Sequence, residues 1–304
     1  MTVAQSLKDS KTFQGIAWMV LTSFLFVGVT CVVRYLGTSM AATETAFIRY
    51  LLGTLMILPW VIRQWGGKLE AQTIKLYVIR ALVHGVGVML WFFAMARIPI
   101  AEVTAIGYVS PIFVTIGAAL FLGEKLHLRR IGGVLCALVG ALIILRPGFQ
   151  EIGLGQLAQL CAAPLFAASF IIAKKLTGTQ SSIVIVGMLS IGCTITLLPG
   201  AILQWQTPTV EEVLWLALTA ALATAGHYTL TKAFQAAPIT VTQPLGFLQL
   251  VWAALLGMLL FGEALDPFVF IGGAIVVGAA TYISHREMQV ARQQRTPPAM
   301  ATKM

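Results

Sequence analysis

Residues 94–126 read AMARIPIAEVTAIGYVSPIFVTIGAALFLGEKL, and residues 233–265 read AFQAAPITVTQPLGFLQLVWAALLGMLLFGEAL. Laid over one another at an offset of 139, Pro99-Ile100 meets Pro238-Ile239 and Gly123-Glu124 meets Gly262-Glu263. The register holds further out with offsets of 139 to 140. Arg34-Tyr35-Leu36 faces Lys174-Lys175-Leu176, Leu58-Pro59 faces Leu198-Pro199, and Gly132-Gly133 faces Gly272-Gly273. A fixed period of this kind marks a duplicated unit. Each unit holds five apolar segments, and an odd number forces the second copy to insert upside down relative to the first. Glu124 and Glu263 are therefore expected on opposite sides of a membrane.

The membrane follows from composition. The 304 residues are 58% hydrophobic and 10% charged, against about 25% charged in an ordinary soluble domain, and the mean hydropathy is +0.89. Ten stretches of about 20 apolar residues can be marked: 15–36, 43–62, 74–96, 100–122, 129–145, 153–173, 181–203, 210–233, 239–261 and 267–284. The expected fold is an all-α integral membrane protein of ten transmembrane helices, arranged as two inverted five-helix repeats. The first apolar run is longer than the 7 to 15 residues of a secretory signal, so it reads as a retained span.

Charge sets the orientation. Twenty Lys and Arg against eleven Asp and Glu give a net charge of +9. With both termini inside, fifteen Lys and Arg fall in inside positions and only Arg34, Arg97 and Arg146 in outside ones, as the positive-inside rule demands. The excess needs no nucleic-acid partner, and none is expected. Cys31, Cys136, Cys161 and Cys193 lie in apolar runs without CxxC spacing and read as small core residues. Residues 1–14 form a cytoplasmic segment, and the polar tail 288–304, with Pro297 and Pro298, is expected to be disordered and cytoplasmic. Inverted copies of one bundle can open a shared midplane site to either side in turn. No GxxxxGK[ST] is present to cradle ATP phosphates, so the energy is expected from gradients, with no cofactor and no metal.

AMARIPIAEVTAIGYVSPIFVT, LGEKL and LRPG in the first half, with GHYTLTKAF, FLQLVWA and FGEAL in the second, resemble the drug/metabolite transporter superfamily, specifically its ten-span EamA type. The resemblance covers nearly the whole chain and is strongest to a bacterial branch that includes riboflavin and S-adenosylmethionine importers beside metabolite exporters. It implies one EamA-type repeat over 15–148, a second, inverted one over 149–287, a bacterial cytoplasmic (inner) membrane location, and a small organic metabolite as partner. Secondary transport by alternating access is the leading expectation. An intramembrane enzyme is the first rival, weakened by the lack of HExxH or a paired Asp metal motif. A non-transporting membrane partner protein is the second, weakened by the polar stripes described next.

Ionisable groups inside lipid cost about 2.5 to 3.5 kcal/mol each on insertion scales, so Arg49, Arg80, His84 and His227 ask for a reason. Arg80, His84, Gly87 and Trp91 fall within an arc of about 60° on the third span. Facing a cavity, Arg80 would attract an anionic group, His84 would exchange hydrogen bonds or protons, and Trp91 would stack on a ring. Snorkelling of Arg80 to the interface is the competing reading. Arg49 matches an Arg typical of the resembled family, and cavity lining and structural pairing both stay open for it. Thr104 and Tyr108 share a face of the fourth span, His227 and Tyr228 a patch of the eighth, and Gln243, Gln249 and Trp252 lie near the middle of the ninth. The resemblance implies that these four spans converge on one cavity; interhelical hydrogen bonding as packing glue is the alternative for the Thr and Gln residues. His84 and His227 are the candidates for proton coupling near neutral pH, with Glu102 a weaker one. Gly123-Glu124 and Gly262-Glu263 are expected to finish helices. Gly132, Cys136 and Gly140, like Ala274 and Gly278, are small residues four apart that read as packing seams, leaving monomer and homodimer both open.

Overall fold

In a computed structural model the described residues are 3–67, 69–107, 109–110, 113, 128–146, 152–236 and 248–295. Among them ten helices follow one another: α1 (Val3–Leu36), α2 (Ala42–Gln64), α3 (Ala71–Met95), α4 (Ile100–Gly107), α5 (Leu128–Leu145), α6 (Leu154–Leu176), α7 (Ser182–Leu203), α8 (Val210–Ala236), α9 (Leu248–Phe261) and α10 (Pro267–Arg295). Six of these, α1, α2, α3, α6, α7 and α8, contain stretches long and apolar enough to cross a membrane. Helix α1 begins at Val3, ahead of the apolar run, and α10 continues to Arg295, past Glu287, where the polar tail was expected to lose structure.

Local chemistry starts and stops the helices. Ahead of α8, Thr209 and Glu212 form a capping box: Glu212 N–H donates to Thr209 Oγ1 at 3.3 Å, and Thr209 N–H donates to Glu212 Oε2 at 2.8 Å, so two helix-start donors are satisfied reciprocally. Ser181 caps α7, its hydroxyl accepting from Val184 N–H at 3.4 Å. Gly262 closes α9 with φ 63°, a left-handed turn that costs a residue with a Cβ. The chain doubles back there, and the Glu263 carboxylate folds over Gly257, where a Cβ would stand 2.6 Å from Glu263 Oε2. The expected helix-finishing role of this Gly-Glu pair is what the backbone shows; Gly123 and Glu124 lie outside the described residues.

The outside of the bundle is apolar and the inside carries the polar groups, the arrangement that a hydrocarbon solvent favours. On α3, Val78, Leu82 and Val86 are exposed while Tyr77, Arg80, Ala81, His84 and Val88 are buried. Four close pairings build the bundle: α1 with α8, α3 with α6, α2 with α7, and α5 with α10. Exchanging α1–α5 for α6–α10 turns the first pairing into the second and leaves the other two unchanged. Where α2 crosses α7, Thr54 Oγ1 and Thr194 Oγ1 share a hydrogen bond at 3.2 Å across a sequence separation of 140, so residues equivalent under the sequence repeat meet each other.

One packing expectation is met at a single crossing, and another is corrected. The seam between α5 and α10 is made by Gly140 against Gly272, where a Cβ on Gly140 would stand 2.7 Å from the Gly272 carbonyl. Gly132, Cys136, Ala274 and Gly278 are exposed instead, because the contact follows one crossing point rather than the whole small-residue row. Cys31 and Cys193 are buried as expected, whereas Cys136 and Cys161 are exposed on the outside of the bundle.

One end of the bundle, where α1 finishes, is tied together by carboxylates. Glu263 accepts from Arg34 Nε at 3.0 Å and from Ile100 N–H at 2.9 Å. Glu102 accepts from Gln156 Nε2 at 3.1 Å, Glu44 from Gln206 N–H at 3.2 Å, and Glu212 from Ser39 Oγ at 3.1 Å. Arg146 pairs with Asp266.

Candidate functional site

At the centre of the bundle α3 presents Arg80 and His84 one turn apart, both buried, at 5% and 1% exposure. Neither reaches an interface, so the snorkelling reading of Arg80 does not describe this structure. Ser169 of α6, fully buried, serves both: Arg80 Nε donates to its Oγ at 3.4 Å, and the same oxygen lies 2.9 Å from His84 Nδ1. Arg80 Nη1 also donates to the Ile185 carbonyl of α7 at 3.1 Å. A hydroxyl that accepts from Arg80 and gives its own hydrogen to Nδ1 leaves the neutral imidazole with its hydrogen on Nε2. That Nε2 is buried and has no hydrogen-bond partner among the described residues.

Around this pair the second half of the chain contributes another imidazole. His227 of α8 lies with its ring centroid 5.4 Å from that of His84, edge to face. Phe166 of α6 stands 5.2 Å from His84 and Phe26 of α1 stands 5.1 Å from His227. Tyr50 of α2 is 6.4 Å from His84. Arg49, 4% exposed, holds its guanidinium carbon 3.8 Å from the Tyr50 ring centroid, a cation–π contact, and its Nε is buried without a hydrogen-bond partner among the described residues. Both guanidinium groups lie within electrostatic reach of both imidazoles. The centre is thus cationic and rich in donors, with aromatic walls from both halves of the chain.

Of the residues singled out from the sequence, Arg49, Arg80, His84 and His227 come together here. Trp91 joins at the edge, its ring 6.0 Å from Phe166. Tyr228 is half-buried one residue beyond His227, with Lys232 Nζ 5.5 Å from its ring. Thr104 is buried but spends its hydroxyl on the Ile100 carbonyl at 2.9 Å, within its own helix. Glu102 sits at the tied end of the bundle with Gln156, away from the imidazoles. Gln249 is half-buried on α9. Trp252 lies elsewhere, edge to face with Phe24 at 6.2 Å, on an apolar groove of about 530 Å³ formed with Phe13, Ile16, Val20 and Leu21. Tyr108 and Gln243 lie outside the described residues.

Tyr50, Phe166, Ser169 and Phe26 were not anticipated. Phe166 and Ser169 are three apart on α6, a spacing that places the pair on one face of the helix, whereas Tyr50 directly follows Arg49 and shares no face with it by spacing alone. Nothing in the sequence singles out a serine and phenylalanines from the many others in apolar spans.

The chain is 30% identical to the riboflavin transporter of Vibrio cholerae over 290 residues, covering 93% of this chain and 96% of the relative. It is 28% identical to the S-adenosylmethionine uptake transporter of Rickettsia bellii, covering 91% and 96%, and 27% identical to the pseudopaline exporter of Pseudomonas aeruginosa, covering 89% and 95%. A solved crystal structure shares the fold with a TM-score of 0.61 at 16% identity, covering 95% of this chain and 99% of that one. The EamA-like transporter family matches residues 13–146 and again residues 153–285, and a chain matched over both halves, with apolar helices suited to a bilayer, belongs to that family within the drug/metabolite transporter superfamily.

Proposed function

We propose that this protein is a secondary active transporter that carries a small organic metabolite across the bacterial cytoplasmic membrane by alternating access around the Arg49–Arg80–His84–His227 centre. The observation that carries the reading is the enclosure of a polar, cationic centre by helices of both halves inside a bundle whose outer surface is apolar. A charged centre in lipid persists where it serves a substrate or ion path. The same centre, walled by Phe26, Tyr50, Phe166 and Trp91, suits a ring-bearing or amino-acid-like solute.

The architecture in this reading is ten spans in two inverted repeats, 15–148 and 149–287, with both termini cytoplasmic. The interchange of the α1–α8 and α3–α6 pairings under the sequence repeat supports it, as does the meeting of Thr54 with Thr194. The end tied by Glu263, Glu102 and Glu44 is then the outer end, and the conformation described is closed there. Transport requires the two halves to rock so that these ties break as the opposite end closes. Relatives include importers and an exporter, and the direction of such a carrier follows the gradient it meets.

Proton coupling is assigned to His84 and His227. Glu102, engaged with Gln156 at the tied end, has no contact with them. Reconstitution into proteoliposomes tests the whole reading. Saturable, gradient-dependent accumulation of a metabolite supports it; chemical conversion of the solute would indicate an intramembrane enzyme, and neither result would leave a non-transporting membrane partner. In the same vesicles an imposed proton gradient should drive uptake in the parent and not in His84→Gln; equal drive in both would overturn the coupling assignment.

A further inference from the structure

We infer that the substrate carries an oxyanion, a carboxylate or a phosphate, and that Arg49, Arg80 and His84 form its binding site. The inference rests on the transport reading for the location of the site and adds the substrate's charge. Its basis is an imbalance. Two guanidinium groups, permanently charged, are buried at 4% and 5% exposure, and among the described residues neither pairs with a carboxylate. The described carboxylates of the two halves that make polar contacts sit at helix ends: Glu44, Glu102, Glu211, Glu212, Glu263 and Asp266 are each occupied with partners at the tied end of the bundle. Glu124 and Glu151, which lie outside the described residues, fall in the sequence between apolar runs rather than within one.

The hydrogen-bonding chemistry points the same way. Arg49 Nε and His84 Nε2 are buried without partners. Arg49 Nε is a donor by its nature, and in the tautomer where the Ser169 hydroxyl gives its hydrogen to Nδ1, Nε2 is a donor as well. Two positive charges without a carboxylate among the described residues, an unsatisfied Arg49 donor, and the buried, unpartnered Tyr50 hydroxyl beside them, which can also donate, describe a site for a negatively charged acceptor. A carboxylate or phosphate is such a group, and the planar fork of an Arg matches either. An amide or a hydroxyl would bring no charge to balance the two guanidinium groups, and a cationic group would be repelled by both. The aromatic walls meet the organic remainder of the molecule.

The test uses purified full-length protein in detergent and matched probes: phenylacetate against phenylacetamide, phenyl phosphate against phenol, and inorganic phosphate and chloride alone. Phenylacetate or phenyl phosphate should raise the melting temperature by about 2–4 °C, their neutral partners should not, and whichever anion is stronger tells carboxylate from phosphate. An uncompensated buried charge is costly, so Arg49→Met should melt no lower than the parent without ligand and lose the response to anions. A second variant, Arg80→Gln, keeps a donor to Ser169 and should lose the response as well. Equal stabilisation by phenylacetamide and phenylacetate, no response to either organic anion, a response to chloride or inorganic phosphate that the organic anions do not exceed, or a marked fall in the ligand-free melting temperature of Arg49→Met would each overturn the inference. Saturable flux of a neutral solute, unaffected by Arg49→Met, would overturn it too and leave the transport reading standing. Anion binding with no flux of any bound anion would do the reverse.

Discussion

The carboxylate of Glu263 joins two helix ends at the tied end of the bundle, and its removal gives a quantitative expectation. It joins Arg34 at the end of α1 to the first backbone N–H of α4, at 3.0 and 2.9 Å, with the two side chains 24% and 10% exposed. An exposed ion pair contributes about 0.2–1 kcal/mol, whereas breaking a fully buried one costs about 3–5 kcal/mol. This pair lies between, and a charge at a helix start adds about 0.3–1 kcal/mol. Glu263→Gln keeps the shape and an acceptor for Ile100 N–H, so only the charge is lost, for about 1–2 kcal/mol. That shifts an open-to-closed ratio about 5–30-fold. The assay is labelling of Thr104→Cys, one turn inside Ile100 and buried, in a background with Cys31, Cys136, Cys161 and Cys193 replaced. An impermeant thiol reagent applied to intact cells should react about 5–30 times faster in Glu263→Gln than in the parent. Arg34→Gln should act alike, and the double variant should add little, since both remove one interaction. An unchanged rate in a protein that still purifies as a single species would refute the assignment of this end as a closed gate held by charge.

Three further outcomes follow from the packing. Gly140→Leu should destabilise the α5–α10 seam by about 1–3 kcal/mol or more, because its Cβ already meets the Gly272 carbonyl; Gly132→Ala, exposed with open space around it, should not change the melting temperature in detergent. Ser169→Ala removes the shared partner of Arg80 and His84 and should cost about 1–3 kcal/mol as buried groups lose their bonds; the melting temperature reads this loss, and Ser169→Thr should recover most of it. Trp91→Ala should weaken substrate affinity measured by counterflow, since Trp91 packs on Phe166 beside His84. Trp252→Ala should leave affinity unchanged, because that ring stands against Phe24 on the outer groove.

The sequence by itself determined the membrane, the duplicated unit and the presence of buried charge. Each rests on a one-dimensional quantity: apolar run length against bilayer thickness, a repeat offset, and the cost of a lone Arg or His in lipid. It also determined that Arg80 and His84 share a helix face, since a 3.6-residue period carries that information along the chain. Only the tertiary structure decided which faces meet. Trp91 and Trp252 look alike as tryptophans in apolar spans, yet one packs beside the cationic centre and the other on an outward groove, because the rotation of a helix about its axis is set by its neighbours. In the same way Ser169 gains its meaning from Arg80 and His84 across the α3–α6 contact, and Glu102 and Glu263 gain theirs from the other helix ends gathered around them. A pattern along one helix cannot supply a partner on another, because these contacts span 54 to 229 residues of chain and exist only once the helices have packed.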